Sequence, residues 1–439
     1  MKKSKKVEFK VKEIKKVTRR RFISTAGLVA STAVTAPAIL RSGLAYAAGR
    51  PVKLGYISPK TGPLAPFAEA DDFVIAGIRS AFKDGIKIGS QIHPIEIFVK
   101  DTQSNPNRCA EVASELILKN KVDILMGAGT PDTTNPLSDQ AEINEVPCIT
   151  SDAPWQPYFF GRGGNPAKGF DWTYHFFWGL EDVIAVFLNL WNSLDTNKVV
   201  GALWPNDSDG NAWGDKKLGF PPVLASKGFK LIDTGRYQQP NNDFSAQISA
   251  FKKANVEIVS GVMIPPDFTT FWTQAAQQGF KPKAVTVGKA LLFPAAIEAL
   301  GDRGTGLSSE VWWTPSHPFR SSLTGDSAGQ LSAAYEKNTG KQWTQPIGFR
   351  HALFEVAANV LGRTKDVNSP KSIVQAIADT KLDTIVGRVH WGGKPVKNVS
   401  KTPLVGGQWV RGSKYKYDLQ VVNNKTATNI PVKGVMKPI

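Results

Sequence analysis

The sequence predicts an α/β protein of two doubly wound units in series, each a parallel sheet covered by helices on both faces. Three observations carry this. From Pro51 onward, short β-rich runs alternate with helical patterns. The intervening helices are roughly 10 to 18 residues long, which suits crossover connections between parallel strands. The alternation halts once, in a Pro-, Gly- and aromatic-rich stretch at 152–178, and then restarts.

In the first series, 52–57 reads as strand and 67–84 as helix. Strand 95–100 follows, then helix 105–120 with Val112, Leu116 and Ile117 on one face. Strand 122–126, helix 133–144 and strand 147–150 complete it. The second series opens with helix 181–194 and strand 199–204, then a helix around 218–227 and strand 230–232. Helix 243–254, strand 258–263, helix 268–278 and strand 284–287 continue the pattern. Strand 311–314 then feeds helices near 328–338 and 346–361, and strand-like pieces stand at 386–391 and 416–422. Helical material after residue 314 suggests a return of the chain to the first unit.

With 439 residues, 41% hydrophobic and 21% charged, the composition is globular. The formal charge of +17 resembles a nucleic-acid signal until it is located. Residues 1–47 hold 12 Lys or Arg against Glu8 and Glu13, a net of +10, which leaves +7 over the other 392 residues. That surplus is an ordinary solvated surface, so nucleic acid is not expected as a partner. The basic segment reads as an export leader: a lysine-rich start, Thr18-Arg19-Arg20-Arg21-Phe22-Ile23, an uncharged run at 22–40, and Ala45-Tyr46-Ala47 before a cleavage point. The arginine motif resembles the twin-arginine signal. A retained anchor is the competing reading, weakened by Pro37 and the hydroxyl residues of the run. The two cysteines, Cys109 and Cys148, exclude a disulfide-rich scaffold. One disulfide is permissible after export, and two unpaired core thiols are the preferred reading.

The chain lacks a Gly-x-Ser-x-Gly elbow, His-Glu-x-x-His, Cys-x-x-Cys and a phosphate loop, and its five histidines have no ligand spacing. No catalytic residue, metal or cofactor is therefore expected. Gly127-Ala128-Gly129-Thr130-Pro131-Asp132 comes close to a dinucleotide turn, but Asp132 replaces the third glycine. A strand-to-helix turn still offers free amide groups to an anionic ligand; plain loop chemistry is the alternative.

Several segments together resemble the leucine/isoleucine/valine-type periplasmic binding proteins. They are Gly55-Tyr56-Ile57-Ser58-Pro59-Lys60-Thr61-Gly62-Pro63-Leu64-Ala65, Asp101-Thr102-Gln103-Ser104-Asn105-Pro106, and Lys121-Val122-Asp123-Ile124-Leu125-Met126-Gly127. Lys198-Val199-Val200 with Asn206-Asp207, and Asn242-Asp243-Phe244-Ser245, continue the match in order. The resemblance implies the type I fold: two lobes joined by three hinge strands, with a ligand in the cleft. On that basis lobe 1 is expected at 50–172 and 315–385, and lobe 2 at 178–311 and 386–430. Crossovers are expected near 173–177, 312–317 and 386–404.

The resemblance also implies an extracytoplasmic, monomeric protein that delivers its ligand to an ABC-type permease and ATPase. Phe67 falls where the family places an aromatic beside the ligand. Thr130, Asp132 and Thr133, with Ser151, Asp152 and Ala153, match loops that hold an amino acid's carboxylate and ammonium. Glu181, Trp213 and Ile264 fall near second-lobe contacts, and Trp155 is added as a neighbour of Asp152. For each, a packed or solvated loop position is the competing reading. One departure is Gly288-Lys289-Ala290, where amino-acid binders of the family supply an acid. Lys289 is either an exposed lysine or, facing the cleft, a partner for a carboxylate. The expected ligand is then a small organic acid, amide or aromatic carboxylate rather than leucine. Two other functions compete: a sensory module of the same fold that signals to a membrane kinase or chemoreceptor, and an exported enzyme using Asp101, Asp132 and Asp152.

Overall fold

A computed structural model describes residues 47–439. The leader expectation falls, but for Ala47, outside the described residues. Among the described residues, no helix is long and apolar enough to cross a membrane.

Two sheets organise the chain. The first has six parallel strands in the order Val399–Ser400, Thr173–Phe176, Cys148–Ser151, Ile124–Ala128, Val52–Ser58 and Ile95–Asp101. The second has seven: Lys230–Tyr237, Val199–Pro205, Ile258–Met263, Ala284–Lys289 and Ser308–Val311 run parallel, then Val405–Arg411 and Tyr417–Asn423 add on antiparallel. The chain passes between them within residues 177–198, 312–398 and 401–404.

Successive residues of a strand face opposite sides, so the central strands, covered by helices on both sides, bury residues of both sets. Along Val52–Ser58, Leu54 and Tyr56 face one helical layer and Ile57 the other, where it meets Cys109, Val112 and Leu137. Cys109 and Cys148 are both buried there as free thiols. The helix Pro346–Arg363 supplies the layer over Tyr56, whose ring lies 5.6 Å from that of Phe354. This helix is buried along nearly its whole length, Arg350 included.

Several local expectations change. The helix predicted at 67–84 is a single 3-10 turn, Ala65–Ala68, followed by Asp71–Ala81. The interruption at 152–178 contains a short helix, Trp155–Phe159, and the fifth strand of the first sheet in chain order, Thr173–Phe176. The strand predicted at 311–314 is Ser308–Val311, so Trp312 onward is connection. Residues from 386, assigned above to the second lobe, begin differently. Gly387–His390 pairs in a hairpin with Lys381–Thr384, and Val399–Ser400 joins the first sheet beside Thr173–Phe176. A two-residue strand and a four-residue hairpin are too short for periodicity to allocate.

Candidate functional site

Parallel strands place their carboxyl ends on one edge of a sheet, and the loops leaving those ends from both sheets meet here. From the first sheet come Phe67, Thr130, Asp152, Pro154, Phe177 and Trp178. From the second come Asp209, Trp213, Val262, Lys289, Leu292, Glu310 and Trp312. Together they line a pocket between the loops of the two sheets. Phe67 reaches across to Phe293, ring centroids 4.9 Å apart and edge to face.

On the first-sheet side, Arg350 fixes the loops. Its Nε donates to Asp71 Oδ1 at 3.2 Å, Nη1 to Asp152 Oδ2, and Nη2 to the Phe67 carbonyl at 2.9 Å. Both acids and the arginine are fully buried at their side chains. Tyr56 Oη adds a bond to Asp71 at 3.1 Å. Asp152 is held in the left-handed region, φ +69. Burial, partly countered by the Arg350 guanidinium, pushes its carboxyl up to about 6. Behind that loop, His175 stacks on Tyr158, donates from Nε2 to the Ala153 carbonyl (2.7 Å) and accepts at Nδ1 from Thr150 Oγ1 (2.9 Å). Burial drives its ring down to about 3, so it stays neutral as a prop for the turn.

On the second-sheet side, Lys289 Nζ lies 2.9 Å from Asp207 Oδ2 and 2.7 Å from Asp209 Oδ2. The exposed reading of Lys289 changes: the lysine is buried in the pocket wall between two aspartates. Lys289 also holds φ +59, a conformation that costs a non-glycine residue about 1–3 kcal/mol. Burial raises the Asp209 carboxyl against the pull of Lys289. Glu310 accepts from Ser309 Oγ at 2.7 Å. Gly288 opens the space beside it: a Cβ there would lie 2.9 Å from the Trp213 ring and 3.1 Å from Glu310 Oε1.

Five residues singled out from the sequence therefore line the pocket: Phe67, Thr130, Asp152, Trp213 and Lys289. The others stand around it. Thr133 Oγ1 accepts from the Thr130 N–H at 3.0 Å at the start of helix Pro131–Ile143. That amide, which the sequence offers to an anion, is thus already occupied. Asp132 accepts from Ser208 Oγ at 2.5 Å, joining loops of the two sheets. Ser151 Oγ donates to the Phe176 carbonyl, tying neighbouring strands. Trp155 Nε1 donates to Glu181, which also pairs with Lys401. Ile264 caps the helix Pro265–Gln277 from a buried position. The reading from sequence missed Phe177, Trp178, Asp209, Glu310 and Trp312; Asp209 alone had a signal, standing two residues past the quoted Asn206-Asp207.

Glu310 carries a pH consequence. Burial is the main cause of a carboxyl raised to about 7, with Ser309 and nearby backbone amides opposing and Asp209 assisting. The native state therefore keeps this proton to higher pH than the unfolded chain does. Its contribution to stability is complete below the ordinary glutamate value and declines as pH rises to about 7, by a ceiling of about 3 kcal/mol. Glu310→Gln removes that slope, so in urea melts its stability relative to the unmodified protein should rise from about pH 5 to about pH 8. A pH-independent difference would contradict the assignment.

A family model described as periplasmic binding protein matches residues 51–412. Among solved structures, the leucine-binding protein LivK of Thermotoga maritima superposes with TM-score 0.68 at 20% identity, covering 85% of this chain and 99% of its own. LivJ of Streptococcus pneumoniae, solved with isoleucine, gives 0.65 at 14% identity over 88% and 100%. An ABC-transporter solute-binding protein of Rhodopseudomonas palustris, solved with 3,4-dihydroxybenzoic acid, gives 0.67 at 18% identity over 86% and 99%. With two helix-flanked parallel sheets meeting at their carboxyl ends, the chain belongs to the periplasmic binding proteins.

Proposed function

We propose that this chain is the extracytoplasmic solute-binding component of an ABC-type importer, and that it captures a small organic molecule by closing two lobes over it. The first lobe carries the six-stranded sheet and the second the seven-stranded sheet, with the three passages between them acting as hinges. No bond need be broken for this task, and no catalytic constellation is required of the pocket.

The observation that carries the reading is the set of partnerless polar atoms on residues lining one pocket. Thr130 Oγ1, Asp152 Oδ1, Asp209 Oδ1 and the indole nitrogens of Trp178, Trp213 and Trp312 are buried without a protein partner. Each such group costs about 1–3 kcal/mol, which a bound molecule can offset. Since both sheets supply them, a ligand bridging them favours the closed arrangement over the open one. Similar structures hold isoleucine and 3,4-dihydroxybenzoic acid, so molecules of that size suit the family's cleft.

Native mass spectrometry of the protein purified without refolding is expected to show a small molecule bound. Trp213→Ala should lose it, because the indole fills the second-sheet wall. Small-angle scattering should show contraction when the stripped protein is reloaded. Chemical conversion of the released molecule, or retention unchanged in Trp213→Ala, would sink the proposal.

A further inference from the structure

We infer that the pocket selects a small organic cation, an amine or amidine that also bears a neutral oxygen, and not a carboxylate or other anion. The inference rests on the reading above that this pocket is the solute site, and adds the charge of its occupant.

The charge inventory carries it. In the walls or directly behind them stand five acids, Asp71, Asp152, Asp207, Asp209 and Glu310, against two basic side chains, Lys289 and Arg350. Both basic groups are committed. Lys289 lies between Asp207 and Asp209, and the fork of Arg350 is filled by Asp71, Asp152 and the Phe67 carbonyl. An entering carboxylate would meet no uncommitted cation among the pocket-lining residues and would add a further negative charge in a water-poor space. The amide of Thr130, a natural cradle for an anion, is occupied by Thr133.

What remains unpaired is the other half of an ion pair. Asp152 Oδ1, on the first-sheet side, and Asp209 Oδ1, on the second, are buried acceptors without a donor. An ammonium or amidinium between them would supply donors and compensate charge together. Phe67, Phe177, Trp178, Trp213 and Trp312 surround that space, and aromatic faces accept cations at little desolvation cost. The three free indole N–H groups call for an acceptor on the same molecule, hence the neutral oxygen.

Three matched probes separate charge from shape: 4-hydroxybenzamidinium, 4-hydroxybenzamide and 4-hydroxybenzoate. They are titrated calorimetrically, near pH 8, into protein stripped of co-purified ligand. The amidinium is expected to bind at least about tenfold tighter than the benzoate. Glu310→Gln and Asp209→Asn should each weaken the amidinium about tenfold while leaving the amide within about twofold. Both substitutions nearly preserve side-chain volume, and if one variant melts early the other carries the test. Equal or tighter binding of the benzoate or the amide, indifference of the amidinium to both variants, or its failure to bind overturns the inference. If the benzoate wins and Trp213→Ala abolishes its binding, the solute-binding reading stands and only the charge assignment falls. If no small molecule binds or co-purifies, both fall.

Discussion

Arg350→Met is expected to cost about 3–5 kcal/mol of folding free energy, read as a drop in the urea midpoint with little change in slope. The guanidinium lies at zero side-chain exposure between Asp71 and Asp152, so its removal leaves two buried carboxylates facing each other without a cation. Methionine replaces the volume and none of the charge, which isolates the electrostatic loss from cavity formation. The triple variant Arg350→Met, Asp71→Asn, Asp152→Asn should recover a large part of the loss, because no uncompensated charge then stays inside. Ligand capture should not return with it. Arg350 also holds the Phe67 carbonyl, and through Asp152 it sets the left-handed turn at the pocket wall. A stable triple variant that still binds its ligand at full affinity would show that Arg350 has no part in shaping the site.

This helix position also shows where a sequence stops being informative. Runs such as 52–57 and 258–263 are visible because a parallel strand covered on both faces is apolar at most of its positions. Ser308–Val311 defeats the same logic. Its sequence is Ser-Ser-Glu-Val, yet all four residues are buried, with Ser308 and Ser309 bonded to the carbonyls of Val285 and Val287. Polarity satisfied across a ladder looks like a loop in one dimension. Phe67, Thr130, Asp152 and Trp213 were reached through the family resemblance, which places ligand contacts in the loops after the strands. Arg350 was not, since its partners lie 279 and 198 residues away and nothing local marks an arginine in a helix as buried. Glu310 and Trp312 were lost with the misplaced strand, and Phe177 and Trp178 with the interrupted region that conceals Thr173–Phe176.

Lys289 is the residue whose meaning changed most, and its replacement gives the second large effect. Lys289→Met is expected to destabilise the protein by about 3–5 kcal/mol near neutral pH, since Asp207 and Asp209 lose their common partner. Glu310 and, more distantly, Asp132 share the same field and sharpen the repulsion. The deficit has a definite pH dependence. Without the ammonium, the carboxyls titrate higher in the folded state than in the unfolded chain, so the native state gains protons as pH falls and the loss shrinks. Urea melts at about pH 5 and about pH 8 should therefore differ, with the larger deficit at the higher value. The folded fraction gives a second readout, because removing a neutralising lysine leaves the pocket more negative. 4-Hydroxybenzamidinium should bind the variant at least as tightly as the unmodified protein, and 4-hydroxybenzoate should bind it no better. A variant that gained affinity for amidinium while losing stability toward high pH would place Lys289 as a counter-ion to Asp207 and Asp209. Loss of benzoate binding alone would instead restore it as an anion receptor, against the geometry that ties its ammonium to both aspartates.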